Sequence, residues 1–272
     1  MFMSKRKSPQ IPWPAHIVGA NKDRPLILLH GFMGNGRDWD RIAIDLAARG
    51  WHCIAFDLPG HSPEHGLEEP VGMEAWSDGL VRSLEAMGLA QVPVVGYSMG
   101  GRLALYTAWR HPERIKALVL EGTNAGMEAP QQRATRAALD DQRAEDIRRN
   151  GLPPFLERWY QMDLFVTLQS HPAVRAQMLA RRAAQDPETM ATILSEMSPG
   201  RQPYMGARLK ALQVPCTLLA GALDPRYAPM VVKMAAQIPG ATHHLIPQAG
   251  HNTHLEAPEA FCQRVHEALH KL

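Results

Sequence analysis

The chain reads as an α/β protein: a mostly parallel sheet with helices on both faces and a helical cap inserted past its middle. Three observations predict this. Short apolar, β-branched runs alternate with amphipathic helical patterns along most of the 272 residues, the order that a parallel sheet with crossover helices requires. The alternation lapses once, between about Asn124 and Tyr204, where helical patterns follow one another with no convincing strand. Each apolar run ends in Gly, Pro or a polar residue, as loops at the carboxyl edge of such a sheet do.

Taken in order, "LILLH" precedes "RDWDRIAIDLAARG", and "CIAFDL" precedes "MEAWSDGLVRSLEAMG", in which Trp76, Leu80, Leu84 and Met87 share one helical face. "VPVVGYS" runs into "RLALYTAWRHPERI", and "KALVLEG", "VPCTLLAG" and "THHLIP" continue the alternation. Inside the lapse, "PPFLERWYQM" repeats Phe155, Trp159 and Met162 at helical spacing. "DPETMATILSEM" offers Asp186 as N-cap and Pro187 at the first helical position, with Met190, Ile193, Leu194 and Met197 on one face. The expected organisation is a core of residues 1–123 and 206–272 carrying a cap of residues 124–205.

With 45% hydrophobic residues the chain can bury a large core. No apolar run approaches the roughly 18 residues of a membrane span. The N-terminal "MFMSKRKSPQ" is basic, and the "IPWPAHIVGANKD" behind it lacks the apolar segment of a signal peptide, so secretion is not expected. Cys53, Cys216 and Cys262 are odd in number and widely spaced. Buried, reduced thiols and a cytoplasmic location follow as expectations. Charge balance, 29 basic against 27 acidic residues, gives no argument for nucleic acid or an anionic membrane as partner. The sequence leaves the oligomeric state open.

The chemistry concentrates in "VPVVGYSMGG", where a strand pattern meets G-x-S-x-G and a helical pattern follows at once. A serine on a sharp strand-to-helix turn needs small neighbours on both sides, and the turn exposes its hydroxyl. Ser98 is therefore a candidate nucleophile or base. A hydroxyl does neither until another group takes its proton, which demands a histidine and an acid on later post-strand loops. "LLAGALDP" supplies Asp224 and "IPQAGHNTHLEAPEAF" supplies His251. Glu121, after "ALVL", is the rival acid. The spacing of His251 and His254 in "HNTH" lacks the acidic residue of a zinc-binding H-E-x-x-H, so no metal is expected. His254, His243, His244, His61 and His65 are assigned to ordinary polar or surface packing. The glycine-rich "LLHGFMGNG" matches no nucleotide motif and suits an oxyanion hole, formed by the backbone N–H groups of Phe32 and Met99.

Together "LLHGF", "DLPGHS", "GYSMGG", "GALDP" and "AGHNTH" resemble the α/β-hydrolase superfamily across nearly the whole chain. "HGFMGNGRDW", "GYSMGGR", "ERWYQMDLF" and "AGHNTHLEAPEAF" resemble more closely the 2-succinyl-6-hydroxy-2,4-cyclohexadiene-1-carboxylate synthases of menaquinone biosynthesis. That resemblance implies a cofactor-free lyase that eliminates pyruvate, in which the Ser98, His251 and Asp224 triad serves proton abstraction. It further implies arginines gripping a substrate with several carboxylates: Arg102, Arg136 and Arg182, with Arg133 and Arg181 as near neighbours of the last two. Tyr97 and Trp159 join this substrate-binding set. Where the family has a "PGL"-like turn this chain reads "EGTNAGM", and "DLPGHS" continues into an unusual "PEHG". Two rivals remain open: a serine ester or carbon-carbon-bond hydrolase using the same residues, and a non-catalytic binding module on the same fold.

Overall fold

A computed structural model describes residues 13–62, 66–67 and 70–270. The basic N-terminal run, His65 and most of "PEHG" lie outside the described residues. Seven strands, β1 (Ala15–Val18), β2 (Pro25–Leu29), β3 (His52–Phe56), β4 (Val92–Tyr97), β5 (Ile115–Glu121), β6 (Cys216–Gly221) and β7 (Thr242–Ile246), form one sheet in the order β1-β3-β2-β4-β5-β6-β7. β1 pairs antiparallel with β3, and the other pairings are parallel. "LILLH" is thus the second strand, not the first. β1 escapes sequence reading because it is four residues long and sits half-buried at an edge, without an apolar run to announce it.

β2 shows how alternation builds two cores. Leu26 and Leu28 face the layer of α1 (Asp40–Ala47) and α10 (Pro258–Leu269), packing with Trp39, Ile42 and Phe261, whereas Ile27 and Leu29 join Trp76, Leu80 and Leu103 of α2 (Met73–Ala86) and α3 (Met99–Arg110). The chain turns outward from β2 to β3 on one side and to β4 on the other, the crevice where open parallel sheets bind ligands. Cys53, Cys216 and Cys262 are free and buried, and burial pushes each thiol up to about 12, well out of the reactive range.

Between β5 and β6 run α4 (Pro130–Asn150), α5 (Leu152–Trp159), a 3-10 stretch (Asp163–Ser170), α6 (Pro172–Ala183) and α7 (Pro187–Glu196). Asp186 caps α7 by accepting from the Thr189 N–H at 2.8 Å. α8 (Tyr227–Ala235) follows β6, and the short α9 (Thr253–Glu256) precedes α10. Among the described residues no helix is long and apolar enough to cross a membrane.

Candidate active site

Ser98 sits between β4 and α3 with φ 50° and ψ −106°, a left-handed backbone that a non-glycine residue adopts at a cost. The surrounding glycines make the turn possible by close approach. A Cβ on Gly96 would lie 2.6 Å from the Gly101 Cα, and one on Gly100 would strike the carbonyl oxygens of Leu29 and His30. The Ser98 N–H is held by the Glu121 carbonyl at 2.8 Å, which ties the turn to the neighbouring strand.

Asp224, in the loop after β6, accepts from the backbone N–H groups of Arg226 and Tyr227 through Oδ1, and faces His251 Nδ1 through Oδ2 at 2.8 Å. Both side chains are buried. Two backbone donors fix the carboxylate, and the carboxylate engages Nδ1, which leaves Nε2 as the ring nitrogen able to exchange a proton elsewhere. Ser98 and His251 line the same cavity of about 450 Å³, which residues of α4, α5 and α7 also line. Phe32 and Met99 line it too, and among the described residues neither backbone N–H is engaged by another backbone carbonyl.

Glu121 does not compete for His251. Its buried carboxylate accepts from Thr253 Oγ1 at 2.6 Å, from the His254 N–H at 3.1 Å and from His254 Nδ1 at 2.8 Å. His254 takes the polar half of the expected polar or surface packing, in the interior: it is buried, its ring lies 4.5 Å from that of Trp39, and Glu121 partners it. His61 is likewise an interior polar residue, fully buried with Nδ1 at the Pro59 carbonyl and its ring 4.8 Å from that of His30, and burial lowers its pKa. Glu121 anchors the nucleophile turn by its carbonyl and the histidine loop by its carboxylate. Changing Glu121→Gln places an amide N–H against donors, and is expected to cost about 2 to 3 kcal/mol of stability. Thermal melting measures the loss; an unchanged melt would show that the loop is held elsewhere.

The substrate-binding expectations divide. Arg102, Arg136 and Trp159 line the cavity, whereas Tyr97 and Arg182 do not. Tyr97 is buried under the catalytic loops, its ring 5.3 Å from that of His251 and 4.8 Å from that of His254, so it packs behind the histidines. Arg182 is buried at 2% exposure and donates to Asp38 Oδ2 at 2.9 Å, while Arg181 takes Asp38 Oδ1 at 2.9 Å. A carboxylate of the chain itself occupies both, and the pair fastens α6 to the loop after β2. Arg133 turns to the Gly200 carbonyl.

Arg143 and Arg226, which sequence reading passed over, also line the cavity. Arg226 stands exposed beside the Asp224 loop. The signal for Arg143 was legible: Arg136, Asp140 and Arg143 recur at helical spacing, so one aspartate meets both arginines on one face. Asp140 is completely buried and accepts from Arg136 Nε at 2.7 Å, Arg143 Nη1 at 3.1 Å and Ser198 Oγ at 2.7 Å.

Arg102 is the electrostatic oddity of the site. It is 8% exposed, and its Nη1 donates to two neutral acceptors, the Met197 carbonyl at 2.9 Å and Gln202 Oε1 at 2.5 Å. Burial brings the guanidinium down to about 10, and the like charge of Arg136 adds to that. A buried cation without a carboxylate partner is expensive unless an incoming anion supplies one.

Comparison with known proteins agrees with this architecture. The model of the alpha/beta hydrolase fold family matches residues 24–258. The 2-succinyl-6-hydroxy-2,4-cyclohexadiene-1-carboxylate synthase of Pectobacterium atrosepticum is 35% identical over 90% of this chain and 93% of its own length. MenH from S. aureus superposes with a TM-score of 0.89 at 30% identity, covering 94% of this chain and 98% of that one. Protein PHYLLO, chloroplastic, of Arabidopsis thaliana is 32% identical over 93% of this chain, which spans only 16% of its length. The chain belongs to the α/β-hydrolase family and, within it, to the family of the 2-succinyl-6-hydroxy-2,4-cyclohexadiene-1-carboxylate synthases.

Proposed function

We propose that this α/β-hydrolase-fold enzyme is a lyase that eliminates pyruvate from a polycarboxylate cyclohexene in menaquinone biosynthesis, using Ser98, His251 and Asp224 for proton transfer. Its family relationship supports the reaction class. The observation that carries the substrate class is Arg102, a buried guanidinium lining the cavity of Ser98 with only neutral hydrogen-bond partners among the described residues. A product of the relatives' name bears a succinyl and a ring carboxylate, and the departing pyruvate takes a third, so the precursor is a trianion.

In the product, the ring carbon bearing the succinyl carbonyl is part of a diene, so that carbon loses a proton in the reaction. His251, with Nδ1 on Asp224, takes the Ser98 proton as the serine oxygen takes the proton of that carbon. The electron pair enters the succinyl carbonyl, making an enolate whose oxygen lies at the Phe32 and Met99 N–H groups. Collapse of the enolate moves the ring double bond and breaks the carbon-oxygen bond to the enolpyruvyl group. The leaving group picks up a proton and becomes pyruvate. Every atom is accounted for without water or a cofactor, and Arg102 and Arg136 hold carboxylates while Trp159 covers the ring.

The test is pyruvate release from that precursor, measured against the enzyme-free rate. Wild type is expected to accelerate it strongly, and Arg102→Met to raise KM by about 10- to 100-fold, the loss of a charge-assisted carboxylate contact. Release at the enzyme-free rate, from protein that still hydrolyses p-nitrophenyl esters, would overturn the lyase reading in favour of an ester hydrolase.

A further inference from the structure

A trianion asks for three cationic partners, and only two of the arginines implied by family resemblance, Arg102 and Arg136, line the cavity. Arg182 is spent on Asp38. We propose that Arg143 supplies the third carboxylate contact, aimed by Asp140 and by the face of Trp159, and so sets this enzyme's preference for a tricarboxylate over a dicarboxylate. The inference rests on the polycarboxylate reading above.

Three features support it. The Arg143 guanidinium lies over the Trp159 ring at 5.2 Å, and its Nη1 donates to Asp140 Oδ1. A planar cation fixed by stacking and by one hydrogen bond has lost its freedom before the ligand arrives, so less ordering entropy opposes binding. Second, Asp140 is one charge shared between two arginines, and Ser198 also draws on it. The cluster keeps a net positive charge facing the cavity. Third, among the described residues the remaining hydrogen bond of Arg143, to the Met162 sulfur at 3.5 Å, is weak, so N–H donors of the fork stay available to an anion.

Arg226 is the competing candidate and is less suited. It is exposed, lies near the Tyr227 ring at 5.8 Å and has no carboxylate holding it among the described residues, so solvent screens it and no anchor orients it. Asp140 is a positioning residue in this scheme, since it reaches the substrate only through Arg136 and Arg143.

The experiment compares pyruvate-release kinetics of wild type, Arg143→Gln, Arg143→Lys, Asp140→Asn and Arg226→Gln, each with a thermal melt. Arg143 is partly exposed, so its variants keep the fold. Arg143→Gln is expected to raise KM about 10- to 100-fold with kcat within about threefold and an unchanged melt. Arg143→Lys restores the charge without the fork and recovers part of the loss. Asp140→Asn, where it folds, raises KM as Arg143→Gln does, and Arg226→Gln changes KM less than about threefold. An unchanged KM in Arg143→Gln beside a large rise in Arg102→Met would overturn the Arg143 assignment and leave the lyase reading standing. A KM rise in Arg226→Gln alone would move the third contact to Arg226. No acceleration by wild type would overturn both.

Discussion

Replacing Ser98 by alanine is expected to lower the kcat of pyruvate release by about 10³-fold or more while KM moves little, because proton transfer is lost and the carboxylate contacts remain. On the proposed mechanism, residual acceleration is expected from the Phe32 and Met99 N–H groups and from the arginines. Each oxyanion donor is worth roughly 10² to 10³ in rate. The same variant must also lose labelling by a fluorophosphonate, since the wild-type hydroxyl, on a strained turn with φ 50°, is set up to react. Asp224→Asn should follow with a smaller loss: the amide keeps its size and removes the charge that holds His251 Nδ1 at 2.8 Å. Full activity in Ser98→Ala would reassign proton abstraction to His251 itself, which lines the same cavity. Loss of labelling with retained lyase activity would give that result unambiguously.

The largest stability effect is expected at Asp38. Its carboxylate is 4% exposed and receives Arg181 on one oxygen and Arg182 on the other, each at 2.9 Å. Asp38→Asn leaves a buried Arg182 charge unpaired, a change that costs about 3 to 5 kcal/mol in such settings. For a chain of this size that lowers Tm by about 6 to 20 °C. Burial alone would raise the Asp38 carboxyl, but Arg182 and Arg181 outweigh it and hold it below the ordinary carboxylate range. A depressed pKa gives stability that is complete above the unfolded-state value of about 3.9 and is lost as pH falls through the folded-state value. Wild type should therefore lose Tm below about pH 4 more steeply than Asp38→Asn. Parallel profiles would show that Asp38 is not the ionised partner of the two arginines. The cluster joins the loop carrying Phe32 to α6, so its loss is also expected to loosen that helix.

How much was legible follows from where the information sits. Five of the seven strands announce themselves because each is an apolar run bounded by turn residues and mostly buried. β7 is neither apolar throughout nor buried, and it is readable from "THHLIP" by its place in the alternation. β1 carried no such run. The nucleophile turn was legible because glycines at close approaches are a local requirement, and Asp224 and His251 because each must follow a strand. Local chemistry could not decide which histidine each acid would meet. Glu121 ends one strand and Asp224 follows another, and His251 and His254 are three residues apart.

The sequence by itself determined the parallel strands of the sheet, the serine turn, the order of serine, acid and histidine, and the presence of many arginines in the inserted segment. These depend on spacing within one element, which sequence preserves. Only the tertiary structure decided partners across elements. It gave Asp224 to His251 and Glu121 to His254, spent Arg181 and Arg182 on Asp38, and brought Arg143 into the cavity. Whether a guanidinium binds a ligand or a neighbouring carboxylate depends on the position of an acid more than 140 residues away in the chain, and helical spacing carries no record of that distance.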